Sequence, residues 1–270
     1  MTRVVVTGMG WITPLGNDLD TVWKRMCKGE SAISLIERFD ASSFPTRFAG
    51  QVRDFDWTQY VKDADVHRQP AMNSQFALGA AKQAWEQSGL GSFDALDRDR
   101  TGIYLGAGEG VLDFSAHSMI DTHSWDVEDG KVDPVAWAKF ASNQLDEWGE
   151  VEQEPNMPLW HLAREYGLRG PAFNCLTACA ASTQAIGEAA SVLLHGDADV
   201  MLSGGTHTML HALGITGFNR LTALSTFDGD PKNANWHLLE ANIPMGPSSQ
   251  SGESFKNSKI DLSLFMFKVL

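Results

Sequence analysis

Residues 177–182 read Thr-Ala-Cys-Ala-Ala-Ser, and Cys179 in their midst is the thiol best placed to act as a nucleophile. The run Pro171–Cys175 before it reads as a strand, and the stretch Ala180–His195 after it reads as a helix. A strand-to-helix elbow exposes a nucleophile at the carboxyl edge of a parallel sheet. The helix start offers unpaired backbone N–H groups and about half a positive charge. Both favour thiolate over thiol, and the same N–H groups can hold the oxyanion of an acyl transfer. Ala178, Ala180 and Ala181 are small enough to leave room for a substrate carbonyl. The competing reading makes Cys179 a small buried core residue, a common fate of free thiols. Cys27 and Cys175 lack the helix-start position and read as inert.

A cysteine nucleophile is usually served by a histidine base. His207 and His211 follow a strand that ends near Gly205, at the edge where Cys179 is expected. Either could serve, although a lone histidine near a turn is more often structural. His161 and His195 fall within helices and read as structural, while His67, His117, His123 and His237 fall in polar stretches and read as exposed. There is no CxxC pair and no His/Cys spacing of the zinc-ligand kind, so no metal site is expected. The glycine run Gly106–Gly110 lacks the Lys-Ser/Thr of a P-loop and a third spaced glycine. It reads as tight turning or close backbone approach beside a pocket.

These residues need a scaffold. Arg3–Thr7, Thr101–Leu105, Pro171–Cys175 and Ala198–Leu202 are apolar without alternation, the pattern of strands buried on both faces. Between them lie helical stretches at Asp20–Lys28, Asn73–Ser88 and Ala180–His195, with Gly89 and Gly196 at cap positions. Phe76, Ala77, Ala80, Ala81, Ala84 and Trp85 make the apolar stripe of the second. A strand-like piece covers Phe48–Val52. The alternation implies an α/β fold with a mostly parallel sheet. Residues 110–158 are acidic and Trp-rich and read as an excursion over the sheet, with helices near Val135–Trp148 and Leu159–Tyr166 at its end. From Asn235 the composition changes. Pro244–Ser258 reads as an unpacked linker, and Ile260–Leu270 is apolar but too short to span a bilayer. Residues 235–270 are therefore expected to form a poorly ordered tail.

The 270 residues are 43% hydrophobic and 20% charged, which excludes a mainly disordered chain. Net charge is −13 and no basic run is present, so a nucleic-acid partner is not expected. Three cysteines make no disulfide framework, which points to a reducing, cytoplasmic setting. No apolar run is long enough for a membrane span, and the first residues lack the pattern of a signal peptide.

Four stretches resemble one family: VVVTGMGWITPLGND, YGLRGPAFNCLTACAAST, GDADVMLSGG and GITGFNRLTALST. In order and spacing they are similar to the β-ketoacyl-acyl-carrier-protein synthases of the elongating type, condensing enzymes of the thiolase-fold superfamily. The resemblance implies a thiolase-like α/β domain over residues 1–234, the N-terminal half of a duplicated βαβαβ fold. It makes Cys179 the acyl-thioester nucleophile, with its backbone N–H as one arm of an oxyanion hole. It places Glu109 at the far end of the acyl pocket, where an apolar side chain is usual. A carboxylate buried against a fatty chain is costly, so either a long saturated chain is disfavoured or Glu109 turns away. It places Arg68 near the surface that docks acyl carrier protein, a basic spot suited to an acidic partner. The segment Phe173–Thr177 would lie near a two-fold interface of a homodimer.

The implied reaction is decarboxylative condensation of a malonyl-carrier thioester with acyl-Cys179, in fatty-acid or polyketide synthesis. Substrates ride on phosphopantetheine thioesters, and no further cofactor is implied. The family's two decarboxylating histidines have no counterpart here; after Asn235 the chain reads WHLLEANIPMGPSSQ in place of the family's next segments. The expectation is a truncated or frame-shifted product that does not condense alone. Two alternatives stay open: a non-catalytic partner subunit of the chain-length-factor kind, which usually lacks the cysteine, and a thiolase-fold enzyme that cleaves. The wording around Cys179 favours the condensing family over the latter.

Overall fold

Apolar runs without alternation become strands, and the two at Thr101–Ala107 and Val200–Thr206 are buried on both faces under helices. The computed structural model describes residues 3–110 and 112–233 and the backbone of 264–269. The first part gives β1 (Val4–Gly10), α1 (Leu19–Cys27), a hairpin of β2 (Ile33–Leu35) and β3 (Phe48–Gly50), α2 (Ala64–His67) and the long α3 (Met72–Ser88). β4 (Thr101–Ala107) leads into the excursion, which holds α4 (Phe114–His123), β5 (Trp125–Asp126), β6 (Lys131–Val132), α5 (Pro134–Gln144) and α6 (Glu147–Val151). Then come α7 (Met157–Tyr166), β7 (Ala172–Cys175), α8 (Ala181–His195), β8 (Val200–Thr206) and α9 (Ala212–Arg220). β9 (Leu264–Val269) is the last described element.

Five strands form one sheet in the order β1-β9-β8-β4-β7. β4 runs parallel to β7 and β8, while β9 runs antiparallel to β1 and β8. The sheet is thus mostly parallel, as expected. Its two faces divide by strand alternation. Ile103, Leu105, Val200 and Leu202 join Phe76, Leu78, Trp85 and Leu162 in the main core under α3 and α7. Tyr104 and Met201 point the other way and pack with Ile186, Ala189 and Leu193 of α8. α3 sits unusually close to β1, because a Cβ on Gly8 or Gly10 would strike the carbonyls of Ala84 or Ala80. Gln83 ties the contact: its amide donates to the carbonyls of Trp11 (3.1 Å) and Asn17 (3.0 Å).

The structure adds detail at three places. The helix expected over Val135–Trp148 is two helices, because Asp146 leaves helical geometry and accepts from the Gly149 N–H at 2.6 Å, capping α6. α4 had no strong periodic signal; Asp113 caps it, accepting from the Ala116 N–H. The tail expected to be poorly ordered contributes β9. Its sequence, Leu-Phe-Met-Phe-Lys-Val, has strand-favouring residues and neither Gly nor Pro, and it pairs with backbone groups of both β1 and β8. The linker expected at Pro244–Ser258 and His237 lie outside the described residues.

Candidate functional site

The Cys179 elbow is assembled from the strand edge upward. β7 is the outermost strand beside β4, and the Asn174 amide grips that neighbour: it donates to the Ala107 carbonyl and accepts from the Ala107 N–H, both at 3.2 Å. Cys175 then turns inward. It is buried, its thiol donates to the Ala181 carbonyl at 3.2 Å, and burial pushes its pKa up. Ala178 takes a left-handed conformation, φ 50°, which costs a non-glycine residue about 1 kcal/mol. A single tight turn, Ala178–Ala180, carries Cys179 directly into α8. Thr177 braces it from outside, its hydroxyl donating to Gln184 Oε1 at 2.8 Å.

The start of α8 rests on the sheet with almost no gap. A Cβ on Gly106 would strike the backbone of Ala181 and Ser182, and one on Gly205 would strike the Ser182 side chain. Here the glycine run is close backbone approach, as its sequence suggests. Cys179 itself is exposed, so the buried-core reading is set aside for this thiol and holds for Cys175.

His207 and His211 lie past the carboxyl end of β8. The His207 ring lies against Gly108, and a Cβ there would strike it. His211 caps α9: its Nδ1 accepts from the Gly214 N–H at 3.2 Å, which commits that nitrogen to the backbone. Burial lowers the His211 pKa and the neighbouring His207 lowers it further, while Glu109 opposes them. Glu109, His207 and His211 therefore share the carboxyl edge of β4 and β8. The Glu109 side chain is exposed. Arg68 is also exposed, directly after α2, with φ 55° and its guanidinium 4.5 Å over the Trp148 ring of α6.

One group was missed by the sequence. His67 is fully buried instead of exposed. Its Nδ1 lies 3.0 Å from Nδ1 of His161, and its Nε2 lies 3.1 Å from Glu165 Oε2. His161 Nε2 lies 2.8 Å from Glu152 Oε1. The four residues come from α2, α7 and the turn after α6, so no local spacing announces them. His161 and Glu165 lie one helical turn apart on α7, but each bonds a residue outside that helix. Among the described residues, no group of three or more His, Cys, Asp or Glu is placed to hold a metal ion. No helix among them is long and apolar enough to cross a membrane.

Comparison with known proteins agrees with this architecture. The model of the beta-ketoacyl synthase N-terminal domain matches residues 1–235. The chain is 38% identical to 3-oxoacyl-acyl-carrier-protein synthase 2 of Vibrio harveyi over 237 residues, 86% of this chain and 52% of that protein. It is 34% identical to the chloroplastic 3-oxoacyl-acyl-carrier-protein synthase I of Arabidopsis thaliana over 250 residues, 90% of this chain and 49% of that one. It thus spans about half the length of the curated relatives it matches. A crystal structure of a beta-ketoacyl synthase from Burkholderia phymatum shares the fold, with TM-score 0.72 at 21% identity over 99% of this chain and 59% of that one. By its sequence over residues 1–235, the chain belongs to the beta-ketoacyl synthase family, through that family's N-terminal domain.

Proposed function

We propose that this chain carries the acyl-accepting part of a β-ketoacyl-acyl-carrier-protein synthase, with Cys179 as the nucleophile. The observation that carries the reading is the contrast between two thiols four residues apart: Cys175 buried and hydrogen-bonded, Cys179 exposed at the start of a 15-residue helix. The curated relatives, named as 3-oxoacyl-acyl-carrier-protein synthases, support the reaction class.

In the first step the Cys179 thiolate attacks the carbonyl of an acyl thioester on a carrier protein. The tetrahedral oxyanion is held by backbone N–H groups at the elbow, Cys179's among them. The C–S bond to phosphopantetheine breaks, and the carrier thiolate leaves and takes up a proton. In the second step a malonyl-carrier thioester loses carbon dioxide. The electron pair left on carbon attacks the acyl-Cys carbonyl and expels the Cys179 thiolate, giving a β-ketoacyl thioester. The balance calls for no redox cofactor. No histidine of this chain is assigned to the decarboxylation, so the 270-residue chain is expected to acylate slowly and not to condense.

Arg68 is the basic spot we assign to the acidic carrier protein, with Trp148 setting the direction of its guanidinium. Glu109 holds the far-pocket position of the family. Its side chain is exposed, so no carboxylate has to be desolvated against an acyl chain. The surface we assign to a second copy of the chain is the edge strand β7 and the turn after it, where Phe173 and Leu176 are 47% and 55% exposed.

The test is intact-mass analysis after incubation with hexanoyl-loaded acyl carrier protein. One acyl adduct is expected, mapped to Cys179, retained in Cys175→Ser and absent from Cys179→Ala. A folded chain that takes no acyl group would overturn the reading in favour of a non-catalytic partner subunit. Sustained condensation after addition of malonyl-loaded carrier would overturn the limit to the first step.

A further inference from the structure

The line Glu165–His67–His161–Glu152 contains a proton count that the separate side chains do not reveal. Its three contacts measure 3.1, 3.0 and 2.8 Å, and each needs one proton between its heavy atoms. The Nε2 atoms face carboxylates and must donate. Two neutral imidazoles supply two protons, and both are then spent on Glu165 and Glu152. That leaves two bare Nδ1 lone pairs facing each other across 3.0 Å in a fully buried site. The outer carboxylate oxygens are already acceptors. Glu165 Oε1 accepts from the Lys62 N–H at 3.2 Å, and Glu152 Oε2 accepts from the Ala71 N–H at 2.9 Å. A third proton therefore belongs between the two rings, in the one contact still without one.

We propose that His67 and His161 together hold three protons, one of them shared between their Nδ1 atoms, and that this proton clamps the Arg68 turn to the excursion. The geometry shows what is clamped. His67 immediately precedes Arg68, Glu152 immediately follows α6, and Arg68 in turn covers Trp148 of α6. Ala71, bound by Glu152, immediately precedes α3, so the same line fixes where that helix begins.

Other charged or titratable groups around the line are few. The Lys62 ammonium donates to the Glu165 carbonyl at 3.1 Å, and Arg68 lies next in sequence to His67. Tyr166, next to Glu165, stays neutral because burial and then the Glu165 charge push its phenol up. Trp57 meets the His67 ring edge-on and Trp160 meets the His161 ring edge-on, and neither ionises. With two carboxylates and one imidazolium the line carries a net charge of −1. Loss of the shared proton would leave −2 and two opposed lone pairs in a fully buried site, a costly state.

This clamp stands whether or not Arg68 meets a carrier protein.

The experiment uses the full chain. Imidazole nitrogen NMR of the ¹⁵N-histidine-labelled protein at pH 7 should show three protonated nitrogens among the four of His67 and His161, with one proton coupled to both Nδ1 atoms. Two protonated nitrogens would overturn the proposal. In His67→Gln the signal of the proton coupled to both Nδ1 atoms should be lost, and its survival would overturn the proposal as well. Should His67→Gln fail to fold, the nitrogen count in the wild type decides alone.

Discussion

Around Cys179 the chain keeps its side chains small, packs backbone on backbone and leaves the thiol open to solvent. Around His67 and His161 it does the reverse, enclosing polar groups completely and giving every ring nitrogen a partner. Both regions hold groups with protons to lose. The elbow leaves its thiol exposed to an outside molecule. The buried line cannot reach an outside molecule, so its chemistry is spent on holding three segments together. Reactivity and cohesion are thus separated in space within one domain.

Breaking the buried line should have the larger effect on stability. His67→Leu leaves Glu165 buried beside an apolar side chain and is expected to cost about 3–5 kcal/mol in urea unfolding. Alkylation of Cys179 in the folded fraction should stay at the wild-type rate, and a large drop there would show that the two regions are not separate. Gly106→Ala tests the other side. Its new Cβ meets backbone atoms of Ala181 and Ser182 that cannot swing away, so a loss of about 1–3 kcal/mol is expected. Here Cys179 alkylation should slow as well, because the start of α8 is pushed off the sheet. The smallest effect is expected at His211, whose folded-state pKa is lowered mainly by burial. The unfolded chain binds that proton more readily, so this residue's contribution to stability declines on acidification below about pH 6.5. His211→Asn keeps a capping acceptor and should remove that acid sensitivity, read from melting temperatures at pH 5 and 7.

The same contrast explains what could be read in advance. The elbow is local: strand, turn and helix follow one another within about 25 residues, and the small residues beside Cys179 are its neighbours in sequence. The core strands and the α3 stripe were legible for the same reason, since burial on both faces leaves an unbroken apolar run. The histidine line pairs residues 94 and 98 positions apart, and His67 sits beside the charged or polar Asp63, Asp65, Arg68 and Gln69. Only the packing of α2 on α7 turns that position inward. Asn174 was hidden differently. A polar residue near the end of a strand reads as the strand's exposed finish, whereas here it joins two strands. β9 was illegible because its partners, β1 and β8, lie far back along the chain.

Asn174 also acts as a register lock. β7 is a four-residue edge strand with a single neighbour, the kind of strand that can slip by one position at little expense. A slip would carry the Asn174 amide about 3.3 Å past the Ala107 backbone and forfeit both of its bonds. It would also turn Phe173 and Cys175, which share the Tyr104 side of β7, to the opposite face of the sheet. The thiol proposed as nucleophile hangs from the end of this strand, and a misplacement of about 1 Å at a reacting centre can cost a hundredfold in rate. One amide, four residues before the elbow turn, therefore sets the accuracy with which the Cys179 thiol is positioned at the sheet edge.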